Sequence, residues 1–143
     1  MSTSCTPETK GSQLGFAEMS ELKGVSMLWA DGWHDGPTDG VASRGNRKYW
    51  FDAVFDTTAD DYEHPRRMLL YELMDEEFRR ETERQKRFEE LVGNTRVCFH
   101  LPPEERHGPT QPEASWARFY DQDRSEPRPT YSERPPAGWF FWP

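Results

Sequence analysis

The densest run of chemistry-bearing side chains is Trp29-Ala30-Asp31-Gly32-Trp33-His34-Asp35-Gly36-Pro37-Thr38-Asp39-Gly40, with three carboxylates and a histidine within nine positions. Asp31, His34, Asp35 and Asp39 are donors that can hold a divalent cation and activate water, which would make a small metal-dependent hydrolase. The spacing places Asp31, Asp35, Gly36 and Asp39 at positions 1, 5, 6 and 9 of a calcium loop. Such a loop also needs an oxygen ligand at position 3 and a glutamate at position 12, where this chain has Trp33 and Ala42. The competing reading is conformational. Asp and Gly are what tight turns require, and each Asp can accept a bond from its own downstream N–H. The conformational reading is the better supported, and no cofactor is expected.

Other catalytic signatures are missing. Ser43 and Cys98 are the serine and cysteine near the expected core, and His34, His64, His100 and His107 fall in separate segments. The sequence contains no Gly-x-Ser-x-Gly elbow, no phosphate-cradling Gly-rich loop with Lys and no His-Glu-x-x-His. Cys5 and Cys98 form no Cys-x-x-Cys unit, so neither a disulfide framework nor a zinc ribbon is indicated. A non-enzymatic role is the expectation.

Aromatic residues carry the stronger signal. The chain holds 9 Phe, 6 Trp and 5 Tyr although its mean hydropathy is only −1.03. Its apolar material is therefore concentrated in a few large rings. In Lys48–Phe55 the residues alternate, with Tyr49, Phe51, Ala53 and Phe55 on one face and Lys48, Trp50, Asp52 and Val54 on the other. Trp50, with Trp33, is either presented to a partner or covered by the helix that follows.

Residues 102–143 hold nine of the twelve prolines and eight aromatics: Trp116, Phe119, Tyr120, Tyr131, Trp139, Phe140, Phe141 and Trp142. Proline at that density opposes helices and central strands, so the region reads as an extended arm. Disordered tails are poor in aromatics, so these rings need a destination. It is either the protein's own sheet or a groove on another protein, and the expected partner-binding set is Trp33, Trp50, Trp116, Tyr131, Trp139, Phe140, Phe141 and Trp142.

The elements that must position these residues can be read from periodicity and turn chemistry. Val25–Ala30 is β-prone and ends at Asp31-Gly32. Gly36–Gly40 is dense in turn residues, Arg44–Arg47 makes a hairpin turn, and Arg67–Leu73 is a further strand. Asp75–Gly93 is a charged helix, with Asp75, Glu76 and Glu77 at its N-terminus, Gly93-Asn94 as its C-cap and a thin stripe of Phe78, Phe88, Leu91 and Val92. Arg96–Leu101 can return as a last strand. The expected architecture is α+β: an antiparallel sheet of about 4–5 strands packed on one charged helix. Residues 1–23 form a polar N-terminal segment, 24–101 the domain and 102–143 the Pro-rich arm.

The length of 143 residues fits one domain. Eighteen basic against 26 acidic side chains give a net charge of −8, which argues against direct nucleic-acid or anionic-membrane binding. Residues 31–63 carry eight carboxylates against three cations, a face able to steer a basic partner, as a nucleic-acid mimic does. No apolar run suits a membrane span or a signal peptide, so a cytoplasmic protein is expected.

The pattern Leu28-Trp29, Asp35-Gly36-Pro37, Gly40-Val41-Ala42, Gly45 and Tyr49-Trp50-Phe51 resembles that of a group of small uncharacterised bacterial proteins, over about residues 25–93. The resemblance implies a bacterial cytosolic protein with a compact sheet-plus-helix domain, and it implies no activity. The arm has no counterpart in that group. Together these readings point to a module that binds another protein as an accessory subunit, inhibitor or assembly factor.

Overall fold

The computed structural model describes residues 19–92, 113–126 and 128–142. Its strands are β1 (Ser26–Trp33), β2 (Pro37–Arg44), β3 (Arg47–Ala53), β4 (Phe55–Asp56), β5 (Asp61–Tyr62), β6 (Arg66–Leu73) and β7 (Gly138–Trp142). Helix α1 spans Asp75–Leu91, α2 spans Glu113–Arg124, and a single 3₁₀ turn covers Tyr131–Glu133. Five strands form an antiparallel sheet in the order β1-β2-β3-β6-β7, and β4 pairs with β5 apart from it. The architecture is α+β, with α1 as its main helix. No described helix is long and apolar enough to cross a membrane.

The sheet is curled until its two edges approach. Leu22 N–H donates to Trp139 O on the outer edge of β7 at 2.8 Å, yet only four residues later Ser26 begins β1 at the opposite edge. Four residues span at most about 14 Å, whereas the edges of a flat five-stranded sheet lie about 19 Å apart. At the other end of the same strands, the rings of Trp33 and Trp142 meet at 6.1 Å. The curl wraps an inner core of Ala30, Ala42, Tyr49, Phe51, Met68, Leu70 and Phe140, to which Leu22, Val25, Met27 and Trp142 add. The outer face carries Trp29, Val41, Trp50, Leu69, Tyr71 and Leu73, covered by Phe78 of α1 and by Tyr131. The alternation of β3 thus divides its residues between two cores, as its period of two requires.

Several local expectations are corrected. Thr38, Asp39 and Gly40 belong to strand β2 and not to a turn. Pro37 is tolerated as the first strand residue because no ladder bond is asked of its nitrogen. Gly40 allows close approach of β1, since a Cβ there would lie 2.2 Å from Trp29 O. The tight turn is shorter, and Asp35 (φ 53°) and Gly36 (φ 141°) supply its positive dihedrals. At the start of α1 the N-cap is Met74, whose N–H is bonded by the Glu77 carboxylate at 2.9 Å, so Asp75 is already inside the helix. The C-cap expected at Gly93-Asn94 and the strand expected at Arg96–Leu101 lie outside the described residues.

The Pro-rich region is not extended throughout. Its prolines are clustered, and 113–126 contains none, leaving room for α2 between Pro112 and Pro127. Density averaged over 102–143 hid that window. Gly138–Trp142 becomes the fifth strand, pairing with β6 through Leu69↔Trp139 and Arg67↔Phe141, so the sheet draws on both the middle and the C-terminal regions.

Candidate functional site

The face of α1 turned to the sheet is polar at its centre. Phe78, Glu81, Gln85, Phe88 and Val92 share one stripe, and the fully buried positions within the helix are Glu81 and Gln85. Glu81, only 3% exposed, takes bonds from Arg128 Nε (2.9 Å) and Nη2 (2.6 Å) and from the Tyr131 hydroxyl (2.6 Å). Arg128 also reaches Asp31 at 2.8 Å, and its guanidinium lies 4.7 Å from the Trp50 ring centroid. Arg84 bridges Asp31 (3.0 Å) and Asp123 of α2. Burial works against the Arg128 charge, but Glu81 and Asp31 outweigh it and hold its pKa above the usual arginine value. These bonds tie α1, α2, the 128–131 segment and β1 into one layer.

A cleft of about 480 Å³ opens over this layer between α1 and residues 125–131. Its cations are already paired: Arg79 with Glu76 and Glu83, Arg87 with Glu126, and Arg84 and Arg128 as above. Below it, Asp39 faces Asp52 across β2 and β3. Burial, reinforced by the Asp39 charge, pushes the Asp52 carboxyl up to about 6, and burial and Asp31 raise Asp39 as well. Both carboxyls therefore hold their protons more readily than an exposed aspartate does. Among the described residues, no three of His, Cys, Asp and Glu converge to hold a metal ion. Asp31 is taken by two arginines, while the His34 ring lies tilted against Tyr62 at 6.0 Å and Asp35 sits exposed in its turn.

The expected partner-binding aromatics divide into two sets. Trp50, Tyr131 and Phe140 are buried within the chain, Trp50 against Tyr131 at 5.5 Å and Phe140 against Phe51 at 6.3 Å. The side chain of Trp116 lies outside the described residues. At the rim of the curled sheet Trp33 is 39% and Phe141 40% exposed, with Trp142 and Trp139 half-buried between and beside them. Arg67 lies over Trp139 and Phe141 at 4.9 and 5.8 Å.

This rim is also an open strand edge. Trp139 directs its N–H and C=O outward, to Ser20 O and from Leu22 N–H. Alternation in an antiparallel pair then turns the N–H and C=O of Phe141 outward too. Among the described residues, no hydrogen bond engages them. Residues 20–22 cover the first half of the edge, and no described residue covers the second half. The chain matches no protein-family model, no curated protein and no solved structure. What the rim can do therefore has to be read from its own chemistry.

Sequence reasoning missed Arg66, Glu81, Arg84 and Arg128. For Glu81 a signal existed, since it interrupts the apolar stripe three residues after Phe78. Arg128 stands between Pro127 and Pro129, with nothing local to name its carboxylates 47 and 97 residues away.

Proposed function

We propose that the chain is a non-enzymatic protein-binding module, an accessory subunit, inhibitor or assembly factor, that takes an extended segment of its partner onto the free half of β7. The observation that carries this reading is Phe141, whose outward N–H and C=O make no bond among the described residues while its side chain is 40% exposed. An unpaired edge is a template for a further strand. Natural edges are commonly blunted by Lys or Pro, and Gly138-Trp139-Phe140-Phe141-Trp142 contains neither. Trp33 and Trp142 beside it are side chains of the kind that anchor binding hot spots. The paired charges of the cleft over α1, by contrast, offer no unmet demand.

Cutting the chain after Leu101 would remove β7 from the sheet, so point substitutions test the reading more cleanly. Phe141→Glu and Trp33→Ala are expected to abolish stoichiometric capture of a partner from lysate of the source cell. Tyr120→Ser, an exposed ring on α2, should capture as the unmodified chain does. Each rim substitution should weaken binding roughly 30-fold or more, the scale of a hot-spot residue. Undiminished capture by both rim variants would contradict the reading.

A further inference from the structure

Beside the rim, at the start of β6, lies a cation that no described carboxylate neutralises. Arg66 is 3% exposed, yet among the described residues it pairs with no carboxylate. Its Nη1 donates to Pro37 O at 3.2 Å, and its Nε is enclosed without any partner. One face of the guanidinium lies 4.6 Å from the Tyr62 ring centroid. On another side stands Gly36, where a Cβ would come within 2.9 Å of Nη1 and 2.8 Å of the Trp142 ring. Glycine there, in a conformation that side chains avoid, lets the backbone, Arg66 and Trp142 close on one another. Every other described arginine with a buried or half-buried side chain between strand and helix, such as Arg84 and Arg128, has its carboxylates. Burying a charge without a partner costs stability and is rarely tolerated without a reason.

We infer that Arg66 is the receptor for a carboxylate carried on an apolar body, which enters at the rim between Trp33 and Tyr62. The guanidinium fork matches a carboxylate through two parallel N–H···O bonds, and its Nε is the unused donor. A single cation with no second one beside it suits a monoanion better than a phosphate dianion. Trp33, Trp142 and Tyr62 supply flat surfaces for the apolar body. The carboxylate can belong to a free aromatic acid or to a Glu or Asp of a strand docked on β7. The inference shares the rim with the protein-binding reading without depending on it.

The test uses the full chain and tryptophan emission, at constant ionic strength. The probes are 3-phenylpropanoate, its uncharged amide and the blocked peptide acetyl-Val-Glu-Val-amide. The carboxylate should give a saturable change and raise the melting temperature by mass action, and the amide should do neither. Arg66→Met should lose affinity for the carboxylate about tenfold or more while melting no lower than the unmodified chain, because the unpaired charge is gone. A response to the peptide that Phe141→Pro removes, with that to phenylpropanoate intact, assigns the carboxylate to a docked strand. Phenylpropanoate binding alone assigns it to a free acid. Equal binding of acid and amide, or no saturable response to either carboxylate, would overturn the inference without touching the capture result for Phe141. The comparison of acid with amide decides the matter even if Arg66→Met fails to fold.

Discussion

Glu81→Ala is expected to lower the free energy of unfolding by about 3–5 kcal/mol, the usual cost of removing one partner from a buried ion pair. Glu81 is the acceptor at which Arg128 and Tyr131 converge, and each is left short by its loss. Arg128 keeps Asp31, but Tyr131 is buried and its hydroxyl has no other acceptor among the described residues. The segment from Arg128 to Glu133 leads directly into β7, so loosening it weakens the fifth strand as well as the cover over Trp50. Glu81→Gln should cost less, because an amide oxygen still accepts from one donor. Urea unfolding of the three proteins followed by tryptophan emission measures the order. A Glu81→Ala chain as stable as the original would show that the polar layer holds nothing together.

The second large effect has the opposite sign. Asp52→Asn is expected to stabilise the fold by about 2 kcal/mol above pH 7, after the roughly two-unit shift is discounted for partial exposure. Burial and then Asp39 push the Asp52 carboxyl from 3.8 up to about 6, so the folded chain favours its protonated form. The contribution is therefore fully present below pH 3.8 and is lost as pH rises through 6. The unmodified chain and Asp52→Asn should be close in stability near pH 4 and diverge as pH rises to 7, with the variant the more stable. Melting temperatures of both chains at each pH read this directly. A constant difference between pH 4 and 8 would contradict the assignment of the titration to Asp52.

How much of this was legible in the sequence depended on whether the deciding interactions were local. The alternation of Tyr49-Trp50-Phe51 and the turn at Arg44–Arg47 depend on neighbours, and the structure has β3 and its hairpin there, although β3 ends at Ala53 and Phe55, expected on the same face as Phe51, is exposed in β4. The charged helix was legible for the same reason, though its cap was misplaced by one residue because Met74 has no polar side chain to announce it. Helix α2 was hidden by averaging proline over the whole region and not reading the Pro-free window. Trp50 had two open fates, and cover by Tyr131 from 81 residues downstream is a tertiary fact that no spacing carries. The same holds for Arg66, which looks like any strand-end arginine until Gly36 and Trp142 close around it. Asp31 and Asp39 were read as cation ligands or turn residues. The arginines that occupy Asp31 come from α1 and from the region after α2, whose path the sequence did not give away.

The central claim is that the free half of β7 is a docking edge, and Phe141→Pro tests it most directly. Proline removes the N–H that points away from β6, so the internal ladder of the sheet keeps its bonds, and proline is accepted at such edge positions. The measurement is the affinity of the captured partner for Phe141→Pro and for the unmodified chain, with melting temperatures recorded alongside. The account predicts a loss of roughly 30-fold or more with the fold retained. Equal affinity in a folded Phe141→Pro chain would show that the partner does not bind as an added strand on β7.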